Sequence, residues 1–240
     1  MMDEDEEILD CMLESDYEAE KANCIKLVES FQTTMYDGYK RMFPVCLLSR
    51  LWIKVFLKEM VNIQCLPDKE EYISIRRENE IYEITLSITL SNAKGKMTWM
   101  VPYPISINKI QQFIVANKIK PQTLVVGDIT GLLAPERLEE LKKEIKECRN
   151  DLLAPIKKDN PIIIIASKDI VGSPYLINGN HRVVKAMMLG KETVEGYIFK
   201  ASICEICGMT EGYTMIYKMM RKLYARVYGV DRNQLYRYLV

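Results

Sequence analysis

The chain has 240 residues, 48% apolar and 28% charged, enough to bury a real core and ordinary for a globular protein. Lys+Arg and Asp+Glu each number 33, so the overall charge calls for no polyanionic partner. Seven cysteines, scattered at 11, 24, 46, 65, 148, 204 and 207, make a poor disulfide framework and fit a reducing compartment.

The opening Met-Met-Asp-Glu-Asp-Glu-Glu carries the wrong charge for a secretory leader. The most apolar stretch, Val45–Val61, is broken by Arg50, Lys54, Lys58 and Glu59, which a membrane span would not tolerate. A cytoplasmic protein with no membrane partner is expected. Residues 1–20 hold ten acids and no base, and residues 201–240 hold six bases against three acids; both ends are read as solvated.

In chain order, residues 3–31 place Ile8, Cys11, Met12, Tyr17, Ala19, Cys24, Leu27 and Val28 at roughly helical spacing. A second helix is expected over Cys46–Val61, with Asp37-Gly38 and Pro44 as punctuation between the two. Tyr72–Ile75 and Ile81–Leu90 are expected as strands. In the second of these, Tyr82, Ile84, Leu86, Ile88 and Leu90 alternate with polar partners. Asn92-Ala93-Lys94-Gly95 is turn-like, and Met97–Val101 is expected to return antiparallel. A short amphipathic helix follows over Ile107–Lys118.

Leu124–Val126 then reads as a short strand, and Pro135 opens a helix to about Arg149 with Leu138, Leu141 and Ile145 on one face. Ala154-Pro155-Ile156 leads to the run Ile162–Ile165, whose continuous branching predicts a strand buried on both faces. Ser167–Pro174 is a turn, Tyr175–Ile177 a strand, and Asn178-Gly179 turns the chain into a helix over 181–189 that Asn180 is expected to cap. Gly190 closes that helix, and Gly196–Phe199 forms a last strand.

A strand, an Asn-Gly turn and a helix that begins at His181-Arg182 make an anion site for elementary reasons. The first N–H groups of a helix have no intrahelical acceptor, and the macrodipole adds partial positive charge there. Gly179 allows close approach and a positive φ, Arg182 offers a planar fork for phosphate, and His181 can donate a hydrogen bond or a proton.

The string from Tyr175 to Gly190, with its Gly-x-His-Arg core at Gly179–Arg182, resembles the second box of the ParB/sulfiredoxin superfamily. The helix from Pro135, the Ala154-Pro155-Ile156 lead-in, the Ile162–Ile165 run and the trailing Val194–Phe199 resemble that family's order of elements. The resemblance implies nucleotide phosphates bound by Gly179, Asn180, His181 and Arg182. Sulfiredoxins carry a catalytic cysteine where this chain has Asn180, which argues against sulfinic-acid repair. Partition proteins have Arg in place of His181 and continue into helix-turn-helix readers, for which residues 201–240 are too short. Free serine kinases of this fold place a catalytic glutamate upstream, loosely matched by Glu136; its bland counterpart is a first-turn acid that complements the helix dipole.

Two further signals stand outside the resemblance. Cys204-Glu-Ile-Cys207 is half a zinc site or a redox pair by spacing, yet no second CxxC accompanies it and the only histidine lies in the turn, so ordinary cysteines are expected. Tyr213, Tyr217, Met220, Tyr224 and Tyr228 repeat at helical spacing, with Lys218, Arg221, Lys222 and Arg226 on another face. The pattern fits a helix docked by its Tyr/Met stripe, or alternatively a nucleic-acid face.

The expected fold is α+β: an unrecognised helical and β-meander region over 1–120, a ParB/sulfiredoxin-like mixed-sheet domain over 121–200, and a helical extension over 201–240. The expected ligand is a nucleotide (ATP, ADP or CTP), with Mg²⁺ where a phosphotransferase or nucleotide hydrolase is considered. His181 and Glu136 are then the catalytic candidates, and no residue is assigned to a resident metal. The alternatives are a DNA-associated module of plasmid or phage type and a non-catalytic scaffold. Oligomerisation is left open.

Overall fold

The computed structural model describes residues 4–30, 66–92, 95–147, 162–166 and 174–228, together with Val55, Lys58, Glu59 and Gln64. The expected helix over Cys46–Val61, the Ala93-Lys94 turn, the Ala154–Ile156 lead-in, the Ser167–Ser173 turn and Cys148 lie, wholly or nearly so, outside the described residues. The fold is mixed α+β, and the chain divides into two compact units. Residues 1–109 and 204–235 make one, and Ile110–Ile203 the body of the other.

In the first unit, α1 (Glu4–Ser30) lies beside α2 (Lys69–Glu78), where the Tyr17 and Tyr72 rings meet at 5.3 Å and Tyr17 donates to the Pro67 carbonyl. Tyr72–Ile75 is helical here, not the expected strand. Asp68 caps the helix by accepting from the Glu71 amide at 2.9 Å, Glu70 and Glu71 fill the first turn, and Arg76 and Arg77 fill the last. These end signals, with the Asp-x-x-Glu spacing of a capping box, override four residues of alternation.

β1 (Ile81–Asn92) and β2 (Gly95–Ser106) form the expected antiparallel hairpin, in register from Ile81↔Ser106 to Asn92↔Gly95. Its buried face carries Ile84, Leu86, Trp99, Val101, Tyr103 and Ile105. α3 (Ile107–Ala116) follows directly, and from Ile110 onward its residues belong to the second unit. Cys204–Cys207 forms one short helical turn, α7, and Glu211–Tyr228 the long α8, which buries Tyr213, Ile216, Tyr217, Met220 and Leu223. Tyr103 meets Tyr213 edge-on at 5.9 Å and donates to the Cys204 carbonyl at 2.6 Å. Tyr213, Tyr217 and Met220 of the Tyr/Met stripe therefore face the core, as helical spacing alone would have it, while Tyr224 is half-buried.

The second unit is built on a four-stranded sheet in the order β3 (Gln122–Val125), β6 (Thr193–Phe199), β4 (Ile162–Ile165), β5 (Tyr175–Asn178). β4 runs parallel to β6 and antiparallel to β5, and all four of its isoleucines are buried. Helices α4 (Val126–Thr130), α5 (Pro135–Glu147) and α6 (Asn180–Met188) accompany the sheet. Val183 and Ala186 of α6 join Ile162, Ile164 and Leu176 in one core cluster, while Val184 packs with Leu141 and Ile145 of α5. Among the described residues no helix is long and apolar enough to cross a membrane.

Candidate functional site

The chain leaves β5 through a buried Asn178, passes Gly179, and enters α6 at Asn180. Gly179 has φ 95° and ψ 19°, the left-handed conformation that an L side chain disfavours. It is the helix N-cap, and Asn180 is the first helical residue, which corrects the expectation that Asn180 caps. The reason is steric, because the turn runs over the first residue of β4. A β-carbon at 179 would collide with Ile162, so the residue that bends the chain has to be glycine. Gly179 closes the helix start only through its carbonyl, which accepts from the Val183 amide at 3.0 Å.

No side chain caps α6, and its first turn contains no acid. Those two facts leave the positive end of the helix without a carboxylate or hydroxyl of its own. The Asn180 side-chain oxygen is buried and has no hydrogen-bond partner among the described atoms. Arg182 is half-buried at the start of the helix, and Lys185, one turn on, is buried. At the other end Gly190 has φ 67°, with the Lys191 amide donating to the Ala186 carbonyl at 2.9 Å, as expected of a closing glycine.

His181 is exposed and does not stand alone. Its Nε2 lies 2.8 Å from Glu144 Oε2 of α5. Arg137, two turns earlier in α5, donates through Nη1 to Glu144 Oε1 and to Glu140 Oε2, each at 3.1 Å. The hydrogen bond from His181, with Arg137 beside it, holds the Glu144 carboxyl below its ordinary range. The bonds to Glu140 and Glu144 push the Arg137 guanidinium up in turn.

Gly179, Asn180, His181 and Arg182 are thus brought together at one helix start, and Glu144 joins them from a different element. Glu136 is in the first turn of α5, exposed, and paired with no side chain among the described residues. Asp128 is exposed in α4, and Asp151, Asp159 and Asp169 lie outside the described residues. Sequence reasoning missed Glu144 and Arg137. A signal did exist: Glu144 follows Leu141 by three and precedes Ile145 by one, which puts it on the border of the stripe that faces α6.

Cys204 and Cys207 are fully buried free thiols, and burial pushes the Cys204 thiol well up. Among the described residues no three of His, Cys, Asp and Glu group as metal ligands. On α8, Lys218 and Lys222 are exposed, but Arg221 is 6% exposed and bonded to Glu205 of α7. A cavity of about 830 Å³ lies in the first unit, where Glu59, Glu71 and Glu211 share the lining with Lys109 and Lys222, so its charge selects neither sign. Lys109 itself is engaged, donating to the Gly208 and Met209 carbonyls at 2.8 and 3.1 Å.

No family model matches the chain, and neither does any curated protein or solved structure.

Proposed function

We propose that this chain binds the phosphates of a nucleotide (ATP, ADP or CTP) at Gly179–Arg182, in a domain of the ParB/sulfiredoxin type. The observation that carries the proposal is the left-handed Gly179 turn. It delivers a helix start with no capping side chain and no first-turn acid, and His181 and Arg182 occupy that first turn. Backbone N–H groups and the macrodipole attract a phosphate there, and a guanidinium grips it in two-point fashion. The order of strand, turn, helix and strand that resembles the superfamily supports the same reading.

For phosphotransfer or hydrolysis, His181 is the group of this site whose ring nitrogen can take a proton from a hydroxyl. Mg²⁺, where it takes part, would enter on the nucleotide's own phosphates. Glu136, exposed and unpaired among the described residues, keeps the role of a dipole-complementing acid.

The test is calorimetric titration of the full chain with ATP, ADP and CTP, with and without Mg²⁺, beside Arg182→Ala and His181→Ala. Saturable binding that Arg182→Ala weakens roughly ten-fold or more is expected for a charged phosphate contact. Unchanged affinity in Arg182→Ala would remove that residue from the site, and no binding of any nucleotide would end the proposal. The DNA-module alternative retains only Lys218 and Lys222 as exposed cations among the described side chains of α8, because Arg221 is buried. It would take over if nucleotides failed and a mobility shift steepened at low salt and vanished in Lys218→Ala/Lys222→Ala. Neither activity would leave the scaffold reading.

A further inference from the structure

We infer that Glu144 is the positioning residue of the site: it holds the His181 imidazole by Nε2 and turns Nδ1 over to the ligand. The ligand in question is the phosphate of the proposal above, and to that extent the inference rests on it.

An ionised carboxylate only accepts, so a 2.8 Å contact between Glu144 Oε2 and His181 Nε2 requires the hydrogen to be on Nε2. In the neutral ring the lone pair is then on Nδ1. That nitrogen is left to take a proton from a hydroxyl, or, in the imidazolium, to donate to a phosphate oxygen.

Glu144 is itself held. Arg137 bonds its other oxygen at 3.1 Å and reaches Glu140 at the same distance, so the carboxylate cannot swing away from the ring without breaking that chain. The backbones carrying the pair are fixed to each other by Leu141, Ile145 and Val184, two of which are completely buried. The His181 and Glu144 side chains are 64% and 45% exposed, where an ion pair adds little to fold stability. Orientation of the ring is what the pair has to offer.

His181 is the only histidine in the chain, so every imidazole resonance reports on this site. Long-range ¹H–¹⁵N spectra of the ligand-free full chain, recorded with the ring neutral, are expected to show a single Nε2–H tautomer. Glu144→Ala is expected to give a mixture, and Glu144→Gln, which keeps an oxygen acceptor, to restore the single form. Identical spectra for wild type and Glu144→Ala would overturn the inference.

The second arm is calorimetric titration with ATP. Glu144→Ala should weaken binding about 2- to 5-fold, the size an exposed ion pair supports. Glu144→Gln should recover part of the loss, and Glu144→Ala should add nothing in a His181→Ala background. Equal losses in both backgrounds would mean that Glu144 acts without His181, and would overturn the inference while leaving the nucleotide site standing. A wild-type chain that binds no nucleotide yet shows the Glu144-dependent tautomer would end the phosphate reading and uphold the pairing.

Discussion

Gly179 stands against Ile162 with no room for a side chain: a β-carbon there would lie 2.7 Å from Ile162 Cγ1 and 3.1 Å from its Cα. The contact joins the turn of the candidate site to the first residue of the central strand β4, so the position of the helix start is set by the core beneath it.

Gly179→Ala should therefore destabilise the protein by about 2–4 kcal/mol, combining the left-handed penalty with overpacking against a buried isoleucine. Chemical denaturation followed by circular dichroism checks it. A loss below about 0.5 kcal/mol would show that the turn relaxes easily and that the glycine is not required. Gly190, also left-handed but with nothing within 4 Å of an added β-carbon, is the control; its alanine variant should cost only the backbone penalty, about 1–2 kcal/mol.

The Arg221–Glu205 pair joins α8 to α7, with its side chains 7% and 14% exposed. Removing one partner leaves a charge in a water-poor site, so Arg221→Ala or Glu205→Ala is expected to cost about 3–5 kcal/mol. Replacing both together, as Arg221→Met/Glu205→Leu, should recover most of that loss. Denaturation midpoints of the three variants decide it; additive losses in the double variant would contradict a coupled buried pair.

Alkaline pH should unfold the first unit. Burial pushes the hydroxyls of Tyr103, Tyr213 and Tyr217 above their ordinary value of 10.0, and the Cys204 thiol above 9.0. The unfolded chain ionises these groups first. Their contribution is thus fully present below about pH 9 and falls as pH rises through 9 and 10, by up to about 1.4 kcal/mol per group and pH unit. Tyrosinate absorbance from these rings should appear together with the loss of helical dichroism. Full ionisation of all 14 tyrosines in a still-folded protein would refute the burial.

The same burial predicts inert thiols at Cys204 and Cys207 despite the CxxC spacing. Alkylation under native conditions, read residue by residue by mass spectrometry, should leave both unmodified, and addition of denaturant should expose both. Rapid native labelling of either would point instead to a reactive pair.

Much of the architecture is written locally. Alternation over Ile81–Leu90 is enough for a half-buried strand, because side chains of a strand point to opposite faces every second residue. Four branched apolar residues in a row at Ile162–Ile165 leave no polar face for solvent, and Tyr213, Tyr217 and Met220 recur at the spacing of one helix face. Asn178-Gly179 before His181-Arg182 marks the turn for the same reason, since glycine alone enters the left-handed region cheaply. Local alternation failed at Tyr72–Ile75, where it was only four residues long and the Asp68 cap and flanking charges were stronger.

Other features depended on residues far apart in the chain. Which charged residue of α5 meets His181, 37 positions from Glu144, is decided by how Leu141, Ile145 and Val184 interlock. Arg221 reads as one more cation of a basic face until Glu205, 16 residues earlier, draws it into the interior. Residues 204–235 belong with the first 109, and the bridge between Ile105 and Gly208 is one of the contacts that join them. Periodicity and turn chemistry act over a few residues, so they mark the long periodic elements and the glycine turn, but not the short helix at Val126–Thr130 or the helical state of Tyr72–Ile75. Pairing of side chains across elements is settled by close packing of surfaces that no local pattern encodes, so which charges meet at the turn and which are buried emerges once the elements are packed together.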